Sequence, residues 1–422
     1  MSEFVCIFED EKVVNFHPLT FTKPLFELRV GILTIREKYQ NLHPEKKYFF
    51  HMRNYLAENY KEWRPNYLVN DLPDTDKTIV FINSRLIPER DLFELFLDQK
   101  NSKIFLDQNN YPVAACLKKD DLPEDIISQD YFDLRNIENI PYEKIDCSLF
   151  HYPWELVNNN GEELIKDFNL LTEQEIELVT GKIYEGAHLL NRDSIYISPT
   201  AVVKPGVVLD AENGPIYIDD DAEIFPNAVI EGPAYIGSRT KIKIGAKIYE
   251  NTSIGKVCKV GGEVEESIIH SFSNKQHDGF LGHAYLGQWV NLGADTNNSD
   301  LKNNYGNVRV TINGETIDTG STFVGLIMGD HSKSGINTMF NTGTLVGVGC
   351  NIYGSNFPPK YIPSFCWGGS DGLVTHKFDK FIKVAQIVMA RRNVELQQTQ
   401  VDLYKEIYDR TYEERIKIGI QA

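Results

Sequence analysis

The sequence predicts an α/β layered domain, then a parallel β-helix, then a C-terminal α-helix. Three observations carry that reading. Over residues 1–180 short apolar runs alternate with amphipathic stretches. From Ile197 aliphatic residues recur at a spacing of six. After residue 372 the apolar spacing becomes helical. The expected domains are therefore 1–180, 193–372 and 373–422.

In the first domain, Phe4–Phe8, Lys77–Ile82 and Lys103–Leu106 read as short buried strands. Arg29–Tyr39 and Pro88–Leu97 are amphipathic and fall between them. Strands alternating with helices predict a layered α/β, Rossmann-like domain. Asn158–Leu171 is expected to be a closing helix and 180–195 a linker.

The repeat is explicit. Ile218, Ile224, Ile230, Ile236, Ile242, Ile248, Ile254 and Val260 stand six apart without a break, preceded by Ile197, Val203 and Leu209. Small residues follow four places later, as at Ala201, Ala222, Ala228, Thr240, Ala246, Thr252 and Cys258. The spacing returns at Leu286 and Leu292 and again at Val324, Asp330, Ile336, Thr342 and Val348. Six residues make 1.67 helical turns, so an α-helix would scatter them around its axis. A coil of short stacked strands places every sixth residue inward, which predicts a parallel β-helix.

Phe378, Phe381, Ile382, Ala385 and Val388 recur at helical spacing, and the charged run Arg391–Arg415 reads as a solvated face.

The net charge of −17 argues against general nucleic-acid binding, which needs a basic face. No run of 18 apolar residues occurs, so no membrane span is expected, and the N-terminus does not read as a signal peptide. Six cysteines without a CxxC pair suggest buried thiols in a reducing cytoplasm. Between Arg239 and Lys259 the chain holds six Lys or Arg and one acidic residue, Glu250, which reads as a pocket for phosphates.

The hexads Ile218-Asp-Asp-Asp-Ala-Glu and Ile236-Gly-Ser-Arg-Thr-Lys resemble those of left-handed β-helix acyltransferases. That resemblance implies a homotrimer with acyl-CoA held between neighbouring helices. The stretch from Glu263 to Ala294 resembles the bifunctional GlmU-type sugar-phosphate nucleotidyltransferase/acetyltransferases and their archaeal relatives, and Gly329-Asp330-His331 resembles the archaeal members. In that family the catalytic His precedes the Asn of an Asn-x-Gly-Ala motif by fourteen residues, which places it at His277 before Asn291. His283, in Gly-His-Ala-Tyr-Leu-Gly, is the alternative, but it precedes Asn291 by only eight. The chemistry needs such a base, because an amine attacking a thioester must lose a proton. Gly293 and Ala294 are candidate donors to the developing oxyanion, with Asp330 and Val348 as further acetyl-CoA contacts. Lys243, Lys275, Asn291, Asn304 and Tyr305 are expected to hold the sugar phosphate. Phe280, Glu265 and Asp295 depart from the family pattern and bear on the sugar.

Pro18-Leu-Thr-Phe-Thr-Lys23-Pro-Leu resembles the opening of sugar-nucleotide pyrophosphorylases. The resemblance implies UTP or dTTP with Mg²⁺, and Lys23 and Arg29 as phosphate partners. The Gly-rich loop of that family is replaced by Phe8-Glu9-Asp10-Glu11, and no metal-binding Asp follows the 78–82 strand. Asn158 is the metal candidate. The implied function is N-acetylation of an amino-sugar 1-phosphate by acetyl-CoA in nucleotide-sugar synthesis, of the UDP-N-acetylglucosamine type, by a divergent GlmU-like protein of the Bacteroidetes type. Two alternatives stand beside it. In one, the N-terminal domain is the sole enzyme and the β-helix a trimerising scaffold. In the other, the protein binds nucleotide sugars without catalysis.

Overall fold

A computed structural model describes residues 3–420. The N-terminal domain is built on a six-stranded mixed sheet in the order β2-β1-β3-β5-β4-β6. Its strands are β1 (Phe4–Phe8), β2 (Lys47–His51), β3 (Ile79–Asn83), β4 (Lys103–Leu106), β5 (Pro112–Leu117) and β6 (Tyr142–Lys144). The runs expected to be strands are strands, while β2, β5 and β6 lie outside the runs singled out in the sequence. Val5, Ile7, Val80 and Ile82 face one core and Cys6, Phe8, Ile79 and Phe81 another, so the sheet is buried on both sides. That explains runs without polar alternation.

The helices are α1 (Ile35–Leu42), α2 (Asn54–Trp63), α3 (Arg90–Leu97), α4 (Pro153–Asn158) and α5 (Asn160–Thr172). Helix α1 starts later than the amphipathic pattern because Thr34 caps it, accepting from Glu37 N while Glu37 reaches back to Thr34 N.

The β-helix begins inside the segment expected to be a linker. Lys182–Ile183 and His188–Leu190 are already paired in parallel with 202–203 and 208–210. Three parallel sheets form its faces, and the longest has nine strands. Ile197, Ile218, Ile236, Ile254, Ile269, Leu286, Met328, Val346 and Ile362 stack inward along that face. The hexads up to Val260 point inward as read. The later set is out of frame. Met328, Ser334, Phe340, Val346 and Ile352 take the inward places, and Ile336 is 69 % exposed. The 300–323 excursion resets the count; it carries an antiparallel hairpin, Arg309–Ile312 with Glu315–Asp318, against the N-terminal domain.

The outward row of the nine-stranded face is Tyr196, Tyr217, Tyr235, Ser253, Ile268, Tyr285, Ile327, Leu345 and Tyr361. The N-terminal domain covers this row. Tyr285 Oη accepts from Arg29 N and donates to Arg29 O, both at 2.9 Å. Asn160 Oδ1 accepts from Gly31 N at 2.7 Å, and its amide donates to Asn251 O at 2.8 Å. Gly31 has φ +80°, and a Cβ there would stand 2.5 Å from Asp167 Oδ2, so only glycine fits this junction.

The C-terminal run forms three helices, α6 (Phe378–Ala390), α7 (Gln398–Arg410) and α8 (Tyr412–Lys417). The charged half is not merely a solvated face. Leu403, Tyr404, Ile407 and Arg415 are buried, and α7 reaches the N-terminal domain through Asn59 Nδ2–Thr399 Oγ1 at 3.1 Å.

Candidate functional site

Two places bring chemistry-bearing residues together. The first lies at the carboxyl ends of the parallel strands β1 and β3, where open α/β sheets bind ligands. It encloses about 250 Å³ and is lined by Asp10, Lys12, Asn83, Tyr111 and Arg135. The acidic segment standing where a Gly-rich loop would be is neutralised by arginines. Glu9 receives Arg53 Nε at 3.0 Å, Asp10 receives Arg85 Nη2 at 2.6 Å and Asn83 Nδ2 at 2.8 Å, and Glu11 lies 3.3 Å from Arg135. Asp10 thus spends its carboxylate on protein donors. Among the described residues no group of three or more His, Cys, Asp or Glu converges to hold a metal ion, and Asn158 is exposed at the end of α4. With Asp10 held by Arg85 and Asn83 and Asp133 by Arg135, the donor set does not fit Mg²⁺.

Lys23 and Arg29, expected to meet a nucleotide, lie between the domains. Lys23 Nζ is 2.5 Å from Asp330 Oδ2, and both side chains are buried. Asp330, expected to contact acetyl-CoA, is therefore committed too; its Oδ1 accepts from Gln288 N at 2.8 Å. Arg29 lies beneath the β-helix with its guanidinium 5.1 Å from the Tyr235 ring centroid. Neither side chain reaches the β1/β3 cleft.

The second site is on the β-helix. The outward row of another face runs Lys241, Lys259, Asn274, Asn291, Lys333 and Asn351, each immediately before an inward residue. Asn274 Nδ2 donates to Asn291 Oδ1 at 3.3 Å, and Arg392 from the C-terminal segment donates to Asn274 Oδ1 at 3.0 Å. Burial lowers the Lys333 ammonium pKa to about 8, and its Nζ donates to His331 O at 2.8 Å. Beside this row the corner is lined by Gly261, Gly293 and Gly335. A Cβ on Gly293 would stand 2.4 Å from Gly335 O, so close coil packing demands glycine there. His277 lies on the turn after Asn274-Lys275, with its side chain exposed. Asn274, Lys333 and Arg392 were not singled out from the sequence. For Asn274 and Lys333 the signal is the position just before each inward residue, which is outward throughout this face; Arg392, in the segment after α6, has no such signal.

The remaining expected residues divide. His283 is clamped: Nδ1 lies 2.9 Å from Asp300 Oδ2, Nε2 lies 3.2 Å from Glu266 Oε2, and the ring stacks on Phe323 at 4.9 Å. Burial alone would lower its pKa, but hydrogen bonds to the two carboxylates outweigh that and raise it to about 9. Near neutral pH it is a cation with both nitrogens committed, which disqualifies it as a proton acceptor.

Lys275 occupies an inward place between Val260 and Leu292, and its Nζ donates to Gly261 O at 2.9 Å and His277 O at 3.1 Å. Its side chain is buried, and desolvation lowers its pKa to about 8. The Gly293 amide donates to Ser334 O at 3.1 Å and is not a free oxyanion donor, while the Ala294 carbonyl accepts from Asn337 N. Val348 is buried, with its amide on Ser364 Oγ at 3.0 Å, which leaves nothing for a thioester. Asn304 and Tyr305 are exposed on the 300–323 excursion, Tyr305 at 73 %. Asn297 and Asn298 accept from Phe280 N and Gly282 N and belong to the coil. The basic run is split. Lys241 pairs with Glu223 at 2.7 Å and Lys247 with Glu263 at 3.0 Å, while Lys243 lies 5.1 Å from the Phe225 ring centroid.

Fold and sites together define a mixed α/β domain docked along one face of a parallel β-helix and strapped to it by C-terminal helices. Residues 5–176 match the family described as sugar nucleotidyl transferase. Over 142 residues the chain is 32 % identical to the bifunctional sugar-1-phosphate nucleotidylyltransferase/acetyltransferase of Sulfurisphaera tokodaii, covering 33 % of this chain and 35 % of that protein. Over 225 residues it is 25 % identical to the bifunctional protein GlmU of Synechococcus elongatus, covering 49 % of this chain and 45 % of that protein. The chain thus spans less than half the length of either relative. Among solved structures, a Francisella novicida UDP-N-acetylglucosamine acyltransferase aligns over 55 % of this chain and 90 % of its own, with TM-score 0.34 and 14 % identity.

Proposed function

We propose that the protein is a transferase of nucleotide-sugar metabolism whose β-helix transfers an acetyl group from acetyl-CoA to the amine of an amino-sugar 1-phosphate. One observation carries the assignment of the base. His277 is exposed beside the Gly261 corner and three residues from the Asn274–Asn291 pair, whereas His283 is locked between two carboxylates. In this reading the His277 imidazole takes the proton as the amine attacks the thioester carbonyl, and the coenzyme A thiolate leaves. Lys259 on the outward face and Arg392 of the C-terminal segment supply cations for the sugar phosphate, with Lys243 at the adjoining corner. The name carried by the Sulfurisphaera relative, a bifunctional sugar-1-phosphate nucleotidylyltransferase/acetyltransferase, supports both the acetyl transfer and the sugar-phosphate class. A homotrimer and a cytoplasmic setting belong to the same proposal.

Coenzyme A release from acetyl-CoA with glucosamine 1-phosphate tests it. Turnover is expected in the wild type and lost in His277→Ala. A second reading, sugar-1-phosphate nucleotidyl transfer in the N-terminal domain, is favoured by the β1/β3 cleft and its Lys12 and Arg135 cations. Pyrophosphate release from UTP and a sugar 1-phosphate, measured without acetyl-CoA, separates the two.

A further inference from the structure

Binding a nucleoside triphosphate takes three kinds of group. Backbone amides of the loop after the first strand cradle the phosphates, cations meet them, and carboxylates hold the accompanying Mg²⁺. In the β1/β3 cleft each kind is spent inside the protein. The loop Glu9-Asp10-Glu11 closes on itself. The Glu9 amide donates to His51 O at 3.2 Å, the Lys12 amide to Asp10 Oδ1 at 3.1 Å and the Val13 amide to Asp10 O at 3.2 Å. Two buried arginines pin it. Arg53 donates Nε and Nη2 to the Glu9 carboxylate at 3.0 and 3.1 Å, and Arg85 donates Nη2 and Nε to that of Asp10 at 2.6 and 3.0 Å. Arg53 is 2 % exposed and Arg85 0 %, so neither guanidinium is presented to a ligand.

The end of β3 is committed as well. Asn83 Nδ2 donates to Asp10 Oδ2 at 2.8 Å, and Asn83 Oδ1 accepts from Arg85 N at 3.0 Å. At the mouth Arg135 donates Nε and Nη2 to the Asp133 carboxylate at 2.7 and 2.8 Å and lies 3.3 Å from Glu11. Lys12 lies 3.7 Å from the same Glu11. The lining thus sets four carboxylates, Asp10, Glu11, Asp130 and Asp133, against two cations, Lys12 and Arg135, each beside a carboxylate. The two cations that resemblance assigns to phosphates point away from the cleft. Lys23 Nζ is 2.5 Å from Asp330, and the Arg29 guanidinium lies against the Tyr235 ring. A triphosphate entering this cleft meets its own sign of charge, with neither free amides nor a metal site to offset it.

We propose that the N-terminal domain of this chain neither holds a nucleoside triphosphate nor transfers a nucleotidyl group. Its ion pairs serve the fold instead. Those of Glu9 and Asp10 fix the loop after β1, and that of Lys23 fixes the domain to the β-helix, so the domain acts as the cover of the tyrosine row. This stands against the second reading above and does not rest on acetyl transfer by the β-helix. Part of the barrier is carboxylate charge at the mouth, so removing that charge admits phosphate.

Calorimetric titration of the full chain with UTP and with dTTP, each in Mg²⁺ and in EDTA, tests this at low ionic strength. Wild type is expected to bind neither nucleotide more tightly than about millimolar, with or without Mg²⁺. It is also expected to release no pyrophosphate from either nucleotide with glucose 1-phosphate or N-acetylglucosamine 1-phosphate. The double variant Glu11→Gln/Asp133→Asn removes two mouth carboxylates and frees the Arg135 guanidinium. It is expected to keep the wild-type melting temperature and to bind UTP and dTTP at least about tenfold more tightly than wild type. Adding Arg135→Gln is expected to abolish that gain. Submillimolar binding of either nucleotide by wild type, pyrophosphate release, or a folded double variant that gains no affinity overturns the proposal.

Discussion

Lys23 Nζ and Asp330 Oδ2 stand 2.5 Å apart in the buried seam between the N-terminal domain and the β-helix. Thr22 Oγ1 donates to the same carboxylate oxygen at 2.6 Å, and Gln288 N satisfies the other at 2.8 Å. Two residues that the sequence assigns to two different ligands instead hold the domains to each other.

Breaking this pair leaves a charge buried and unpaired, at a cost of about 3–5 kcal/mol. Asp330→Asn and Lys23→Met are each expected to lower the urea midpoint strongly, and the double variant to recover part of the loss. Burial raises the Asp330 pKa, but Lys23 and the donors around it hold it below the ordinary carboxylate value. The pair's contribution is therefore present above the unfolded pKa, near 4, and is lost as pH falls through the folded value. Urea midpoints of wild type and Asp330→Asn should converge in acid.

His283 gives the opposite pH dependence. Its folded pKa, about 9, exceeds the unfolded value near 6.5. Its stabilisation is complete below about pH 6.5 and disappears as pH rises through about 9. The stability difference between wild type and His283→Gln should be on the order of 2–3 kcal/mol at pH 6.5 and shrink steadily toward pH 10. Denaturant midpoints across that range check it, and a pH-independent difference contradicts the double carboxylate clamp.

Lys275 is the converse case of a cation in an aliphatic ladder. Desolvation lowers its pKa to about 8, so the burial penalty is fully present at pH 7 and is relieved between about 8 and the unfolded value near 10.4. Lys275→Met is expected to keep the fold and to match or exceed wild-type stability at pH 7, with its advantage shrinking by pH 10. Retained acetyl transfer in this variant would confirm that Lys275 is not a sugar ligand.

The six-residue period was legible because each inward place from Ile197 to Val260, on whichever of the three faces it falls, meets the same apolar core. It lost frame after residue 300, because the hairpin excursion interrupts the coil and Ile336 falls on a corner. The docking face was readable in principle, since Tyr196, Tyr217, Tyr235 and Tyr285 each stand next to an inward aliphatic residue. The ion pairs were not legible. Glu9–Arg53, Asp10–Arg85 and Lys23–Asp330 join residues that only the tertiary fold brings together. The same holds for the candidate base. Spacing to Asn291 favours His277, but it takes the clamp on His283 to remove the alternative.

The most direct measurement is the rate of coenzyme A release from acetyl-CoA and glucosamine 1-phosphate by wild type, His277→Ala and His283→Gln at pH 7.5, with folding verified by circular dichroism. Loss of a general base predicts a fall of about 10²–10⁴-fold in His277→Ala with its melting temperature unchanged. His283→Gln is predicted to lower the melting temperature while the folded fraction keeps turning over. Wild-type turnover in His277→Ala would contradict the account.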